Sequence, residues 1–80
     1  MTIHVRLFAG AAGAVGSDEL EIDAASVKEL QAELIKIGKP DTERVLGVCS
    51  FLIDGVRAGT PETAIPPNAN VDVLPPFAGG

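Results

Sequence analysis

An α+β domain, with one main helix laid on one face of a mixed sheet of about five strands, is the fold class this sequence predicts. Three observations lead there. Apolar and polar residues alternate over residues 2–8 and again over 71–74, so strongly one-sided strands stand near both ends. Between them, Val27, Leu30, Leu34 and Ile37 recur at helical spacing and make one apolar stripe. With 80 residues the chain is a single small domain, so that stripe has to cover one side of whatever sheet the strands build.

In "TIHVRLF", Ile3, Val5 and Leu7 share one face of a half-buried strand and His4, Arg6 and Phe8 share the other. "AGAAGAVG" reads as a glycine- and alanine-rich loop with room for a helical turn. "DELEI" alternates again, with Leu20 and Ile22 inward, and is expected to pair antiparallel with the first strand. Ser26-Val27-Lys28-Glu29 is a capping box. The serine hydroxyl is expected to accept from the Glu29 amide, and the glutamate to reach back to the Ser26 amide. The helix then runs over residues 27–37, with Gly38 expected in the left-handed capping position and Pro40 forbidding continuation.

"PDTERVLG" allows one more short helical turn, and "VCSFLI" is a third strand. Asp54-Gly55 is a hairpin turn signal leading into "VRA" as a short fourth strand. "TPET" suggests a turn capped by Thr60, "PPNAN" is loop, and "VDVL" is the last strand with Val71 and Val73 inward. The first and last strands are the most one-sided, so they belong in the middle of the sheet, side by side. That arrangement is a β-grasp, the ubiquitin-like roll. It assigns residues 1–74 to the folded body and 75–80 to an extended C-terminal tail.

Composition narrows the function. A domain of this size buries only about 60% of its unfolded surface. With three phenylalanines and no tryptophan or tyrosine, its core is aliphatic. A net charge of −5 argues against a nucleic-acid backbone binder and fits a partner with a basic surface. One cysteine excludes an intramolecular disulfide and a four-cysteine iron–sulfur cluster. "MTIHVRLFAG" has no signal-peptide pattern, and "VLGVCSFLI" is too short to span a bilayer, so a cytoplasmic protein with no membrane partner is expected.

No catalytic constellation assembles. Gly10, Gly13 and Gly16 come after a strand, but neither a dinucleotide fingerprint nor a P-loop has that spacing. His4 reads as a solvated surface histidine and Cys49 as a small core residue. Asp18, Glu19, Glu21 and Asp23 read as a solvated acidic stripe. No metal site is expected.

The informative stretch is "VLPPFAGG". Pro75 and Pro76 cannot donate to a sheet ladder and favour extended backbone, so they end the last strand and project the final residues away from the body. Gly79 and Gly80, without Cβ atoms, leave a thin chain able to thread a narrow channel, and a terminal Gly80 carboxylate would be unhindered. If Val71 and Val73 face the core, Leu74 faces out where the tail departs, with Phe8 and Phe77 flanking it. An exposed apolar patch beside a projecting tail has the character of a docking site.

Those residues carry a resemblance. The whole chain resembles the MoaD-like small subunits of molybdopterin synthase, of the ThiS/MoaD group of ubiquitin-like sulfur carriers. The resemblance rests on "VRLFA", on "SVKEL" and above all on "VLPPFAGG". The departure is the loop Pro66-Pro67-Asn68-Ala69-Asn70, where the family often has an acidic-glycine turn. The resemblance implies that a ubiquitin-activating-type adenylating enzyme, using ATP and Mg²⁺, activates the Gly80 carboxylate. A sulfur donor protein then leaves a thiocarboxylate there. The large synthase subunit receives the tail, Pro75, Pro76, Phe77, Ala78 and Gly79, while Leu74 and Phe8 dock. The chain itself would bind no cofactor, and the catalytic groups would belong to its partners. The alternatives are a ThiS-like carrier for thiazole synthesis, a carrier for cysteine synthesis or protein conjugation, and a β-grasp interaction module that carries nothing.

Overall fold

The computed structural model describes residues 2–76. Along it run β1 (Thr2–Leu7), α1 (Ala9–Val15), β2 (Glu19–Asp23), α2 (Val27–Ile37), α3 (Thr42–Leu46), β3 (Ser50–Ile53), β4 (Val56–Arg57) and β5 (Asn70–Leu74). The strands form one mixed sheet in the order β2-β1-β5-β3-β4. β1 and β5 lie parallel at its centre, and the β1–β2, β3–β5 and β3–β4 pairs are antiparallel. This is the β-grasp expected from the alternation of the first and last strands.

The core lies on one side of the sheet. Ile3, Val5 and Leu7 of β1, Val71 and Val73 of β5 and Phe51 of β3 are buried against Val27, Leu30 and Leu34 of α2 and Leu46 of α3. Ile37, expected on the α2 stripe, is 55% exposed because it is the last helical residue, where the chain leaves through Gly38 and Pro40. The α2 cap forms with one shift from expectation. The Ser26 hydroxyl accepts from the Glu29 amide at 3.2 Å, while the Glu29 carboxylate takes the amide of Ala25, not that of Ser26, at 2.9 Å.

Two other expectations are corrected. "AGAAGAVG" is a helix of two turns, α1, with Ala11, Ala14 and Val15 buried. Alanine is the best helix former, and small side chains let α1 sit close to its neighbours. Gly16, at φ 91°, closes α1 by donating its amide to the Ala12 carbonyl at 2.8 Å. Gly38 does not take the left-handed conformation; at φ −91° and ψ −179° it is extended. Space is what selects glycine there. A Cβ would run into Thr42 Oγ1 and lie 3.0 Å from the Leu34 carbonyl oxygen. Thr42 cannot easily yield, because it is fully buried and donates to the Ala14 carbonyl at 3.2 Å, tying α3 to the end of α1.

Gly38→Ala is therefore expected to destabilise the fold. Overpacking costs about 1–3 kcal/mol, against the roughly 0.4–1 kcal/mol that alanine contributes by restricting the unfolded chain. A thermal melt showing a rise in Tm would refute the steric argument.

The turns behave as their chemistry dictates. Asp54 and Gly55, at φ 49° and 87°, make the two-residue hairpin that pairs Ile53 with Val56. In the "PPNAN" loop Asn68 takes the left-handed conformation at φ 65°, filling the role glycine would have in an acidic-glycine turn. Its amide donates to the Thr2 carbonyl at 2.8 Å, and that bond lays β5 alongside β1.

Candidate functional site

The helices cover one face of the sheet and leave the other to solvent. On β1 the residues alternate between exposed and buried, which puts His4 and Arg6 on the open face. The parallel register sets Arg6 opposite Asp72 and Leu7 opposite Val73. The antiparallel register on the other side sets Leu52 opposite Asp72 and Ser50 opposite Leu74. Across its middle the open face thus reads Glu19, Arg6, Asp72, Leu52, Arg57 from β2 to β4.

Phe8 continues β1 in extended backbone, at φ −120° and ψ 145°, and its amide donates to the Val73 carbonyl at 3.2 Å. It takes the next step of the same register, so Phe8 and Leu74 belong to neighbouring positions at one end of the open face. Phe8 is 38% exposed and Leu74 is half-buried, at the last residue of β5. Pro75 lies outside the strand, and Pro76 stands in a 3₁₀ turn where extended backbone was expected. Proline's fixed φ serves either conformation, so the sequence does not choose between them. Phe77, Ala78, Gly79 and Gly80 lie outside the described residues.

The centre of the open face holds a group that sequence reasoning missed. Arg6 Nε and Nη2 donate to the two Asp72 carboxylate oxygens at 2.8 and 3.1 Å, a bidentate fork across the β1–β5 seam. The Asp72 carboxylate holds the Arg6 guanidinium's pKa above its ordinary value, first by hydrogen bonding and then by charge. Arg6 Cζ also stands 5.7 Å from the centre of the Phe8 ring, within cation–π reach. Alternation alone placed Arg6 and Asp72 on outward positions. Only the parallel register brings them face to face.

The remaining candidates carry no chemistry of their own. His4 is exposed, with Nδ1 3.5 Å from the carboxylate of Glu21, its register partner on β2. A shallow groove of about 430 Å³ beside them is open to solvent. Cys49 is half-buried, burial pushes its thiol pKa up, and its sulfur lies 3.2 Å from the Val45 carbonyl oxygen. That setting disfavours the thiolate. Among the described residues no group of three or more His, Cys, Asp or Glu could hold a metal ion. No helix among them is long and apolar enough to cross a membrane.

No protein-family model matches the chain, and no curated protein sequence matches it significantly. Solved structures do. A molybdopterin-converting factor subunit 1 of Helicobacter pylori, solved in complex with subunit 2, is 28% identical over the whole of both chains, with a TM-score of 0.73. The putative molybdopterin-converting factor subunit 1 of Pyrococcus furiosus is 24% identical over 96% of this chain and 99% of its own, with a TM-score of 0.82. Small archaeal modifier protein 1 of Methanosarcina acetivorans is 24% identical over 99% of this chain and 96% of its own, also at 0.82. These fold neighbours are thus molybdopterin-converting factor subunits and a small archaeal modifier protein, matched along nearly the full length of each.

Proposed function

We propose that this chain is a sulfur carrier that serves as the small subunit of a molybdopterin synthase. Residues 1–74 form the docking body and residues 75–80 form the reacting tail. The observation that carries the reading is the whole-length match to a converting-factor subunit 1 that was solved in complex with subunit 2. The apolar pair Phe8 and Leu74, set where β5 ends and the tail begins, supports it from the fold.

The chemistry resides at Gly80. In an activating partner of the ubiquitin-activating type, the Gly80 carboxylate attacks the α-phosphorus of ATP. Pyrophosphate leaves, and an acyl-adenylate forms. A sulfide equivalent from a donor protein adds to the acyl carbon and expels AMP, exchanging one C–O bond for C–S and leaving a thiocarboxylate. On the large subunit that sulfur passes to the pterin precursor, and water restores the carboxylate. ATP and Mg²⁺ belong to the activating partner, and the setting is cytoplasmic. This chain contributes the carrier carbon at Gly80, clearance at Ala78 and Gly79, an exit path at Pro75, Pro76 and Phe77, and a docking surface at Phe8 and Leu74.

A second reading, conjugation of Gly80 to protein amines, is supported by the match to small archaeal modifier protein 1. Both readings share the acyl-adenylate and part at the nucleophile. Intact mass spectrometry of the protein isolated from its native cells tests them together. The carrier reading expects a species heavier by one sulfur-for-oxygen exchange, located at a C-terminal Gly80. Isopeptide-linked adducts without that species would favour conjugation. A chain that continues past Gly80, or carries neither change, would remove both.

A further inference from the structure

We infer that Arg6 is a positioning residue for docking: clamped by Asp72, its guanidinium holds the Phe8 ring beside Leu74, so the apolar anchor stands preformed before a partner arrives. The inference rests on the proposed docking role of Phe8 and Leu74 and adds a residue to it. The fork fixes the guanidinium plane, because two parallel N–H···O bonds leave it no free rotation. Asp72 is the better-buried partner, with its side chain 22% exposed against 56% for Arg6, so the carboxylate is the fixed end of the fork and the guanidinium is the solvent-facing one. From there the guanidinium meets Phe8, two residues along the same face of the strand.

A purely structural role explains this less well. An exposed ion pair contributes little to stability, and β1 and β5 are already joined by their backbone ladder and by Val5, Leu7, Val71 and Val73. Phe8, by contrast, is a large ring on an exposed position, and fixing its rotamer before binding removes an ordering cost from the encounter.

The test has two arms. In the free chain, the Arg6 Nε–H resonance is expected to shift in Phe8→Ala, through loss of the ring current, and again in Asp72→Asn, through loss of the fork. In the second arm, affinity for the large synthase subunit of the same organism is measured by calorimetry. Arg6→Ala is expected to weaken binding roughly three- to tenfold in the otherwise unchanged chain and less than about twofold in a Phe8→Ala background. Arg6→Lys keeps the charge but not the fork, and is expected to recover only part of the loss. Additive losses would mean that Arg6 meets the partner directly, and an unshifted Nε–H in Phe8→Ala would mean the ring is not held; either overturns the positioning role alone. If the unsubstituted chain does not bind the large subunit, the docking reading falls and this role falls with it.

Discussion

A chain lacking Gly79 and Gly80 is expected to acquire no thiocarboxylate and to support no sulfur transfer, while its unfolding temperature stays within about 2 °C of the full-length protein. The first half rests on chemistry. In the proposed reaction the acyl carbon that is adenylated belongs to Gly80, and a chain ending at Ala78 would offer a carboxylate on a residue with a Cβ, two residues short of the partner's reactive groups. A misplacement of even about 1 Å can cost 10²-fold in rate, so a shortfall of two residues leaves no measurable activity. The second half rests on where the core lies. Its cluster of buried residues, among those described, runs from Ile3 to Val73, and β5 is closed on both sides by β1 and β3. Sulfur transfer assayed with the activating enzyme, beside a thermal melt, reads both halves. Residual transfer would place the reacting carbon elsewhere, and a Tm loss of several degrees would make the last residues part of the fold.

Leu74→Glu is expected to weaken docking to the large subunit by about 3 kcal/mol or more, a hundredfold or greater loss of affinity. Leu74 lies at the last residue of β5 on the face without helices, between Phe8 and Ser50. A carboxylate there is solvated in the free chain but loses its water when a partner covers the face, and no cation stands in the register to meet it. Arg6, the cation two residues from Phe8, is already engaged by Asp72. The fold is expected to survive, because only part of the Leu74 side chain is buried. At about 25 cal/mol per Å² of apolar surface its loss costs on the order of 1 kcal/mol. Calorimetric titration against the large subunit is the measurement, with an amide NMR spectrum to show that the fold is intact. Unchanged affinity would remove Leu74 from the docking surface and leave the patch to Phe8 alone.

Much of this molecule was legible in its sequence. Period-two alternation marked β1 and β5, the Ser26 capping box and the 3.6-residue stripe bounded α2 at Val27 and Ile37, and Asp54-Gly55 marked the hairpin. These are local signals, carried by residues a few positions apart, so one strand or one helix is enough to express them. The same local logic pointed to Leu74 and Phe8 as outward apolar residues.

What escaped was whatever depends on residues distant in sequence. The run from Ala9 to Val15 has no strong periodicity of its own, and its small buried face, Ala11, Ala14 and Val15, finds its partners in α3, α2 and β5. Gly38 is required by Thr42 and Leu34, not by its own φ. The Arg6–Asp72 fork joins positions 66 residues apart and exists only in the parallel β1–β5 register. Sequence by itself determined which residues of β1 and β5 face outward. Tertiary structure alone decided which outward residues are neighbours, because that depends on how strands far apart in the chain are paired, and pairing is a property of the whole core rather than of any one segment.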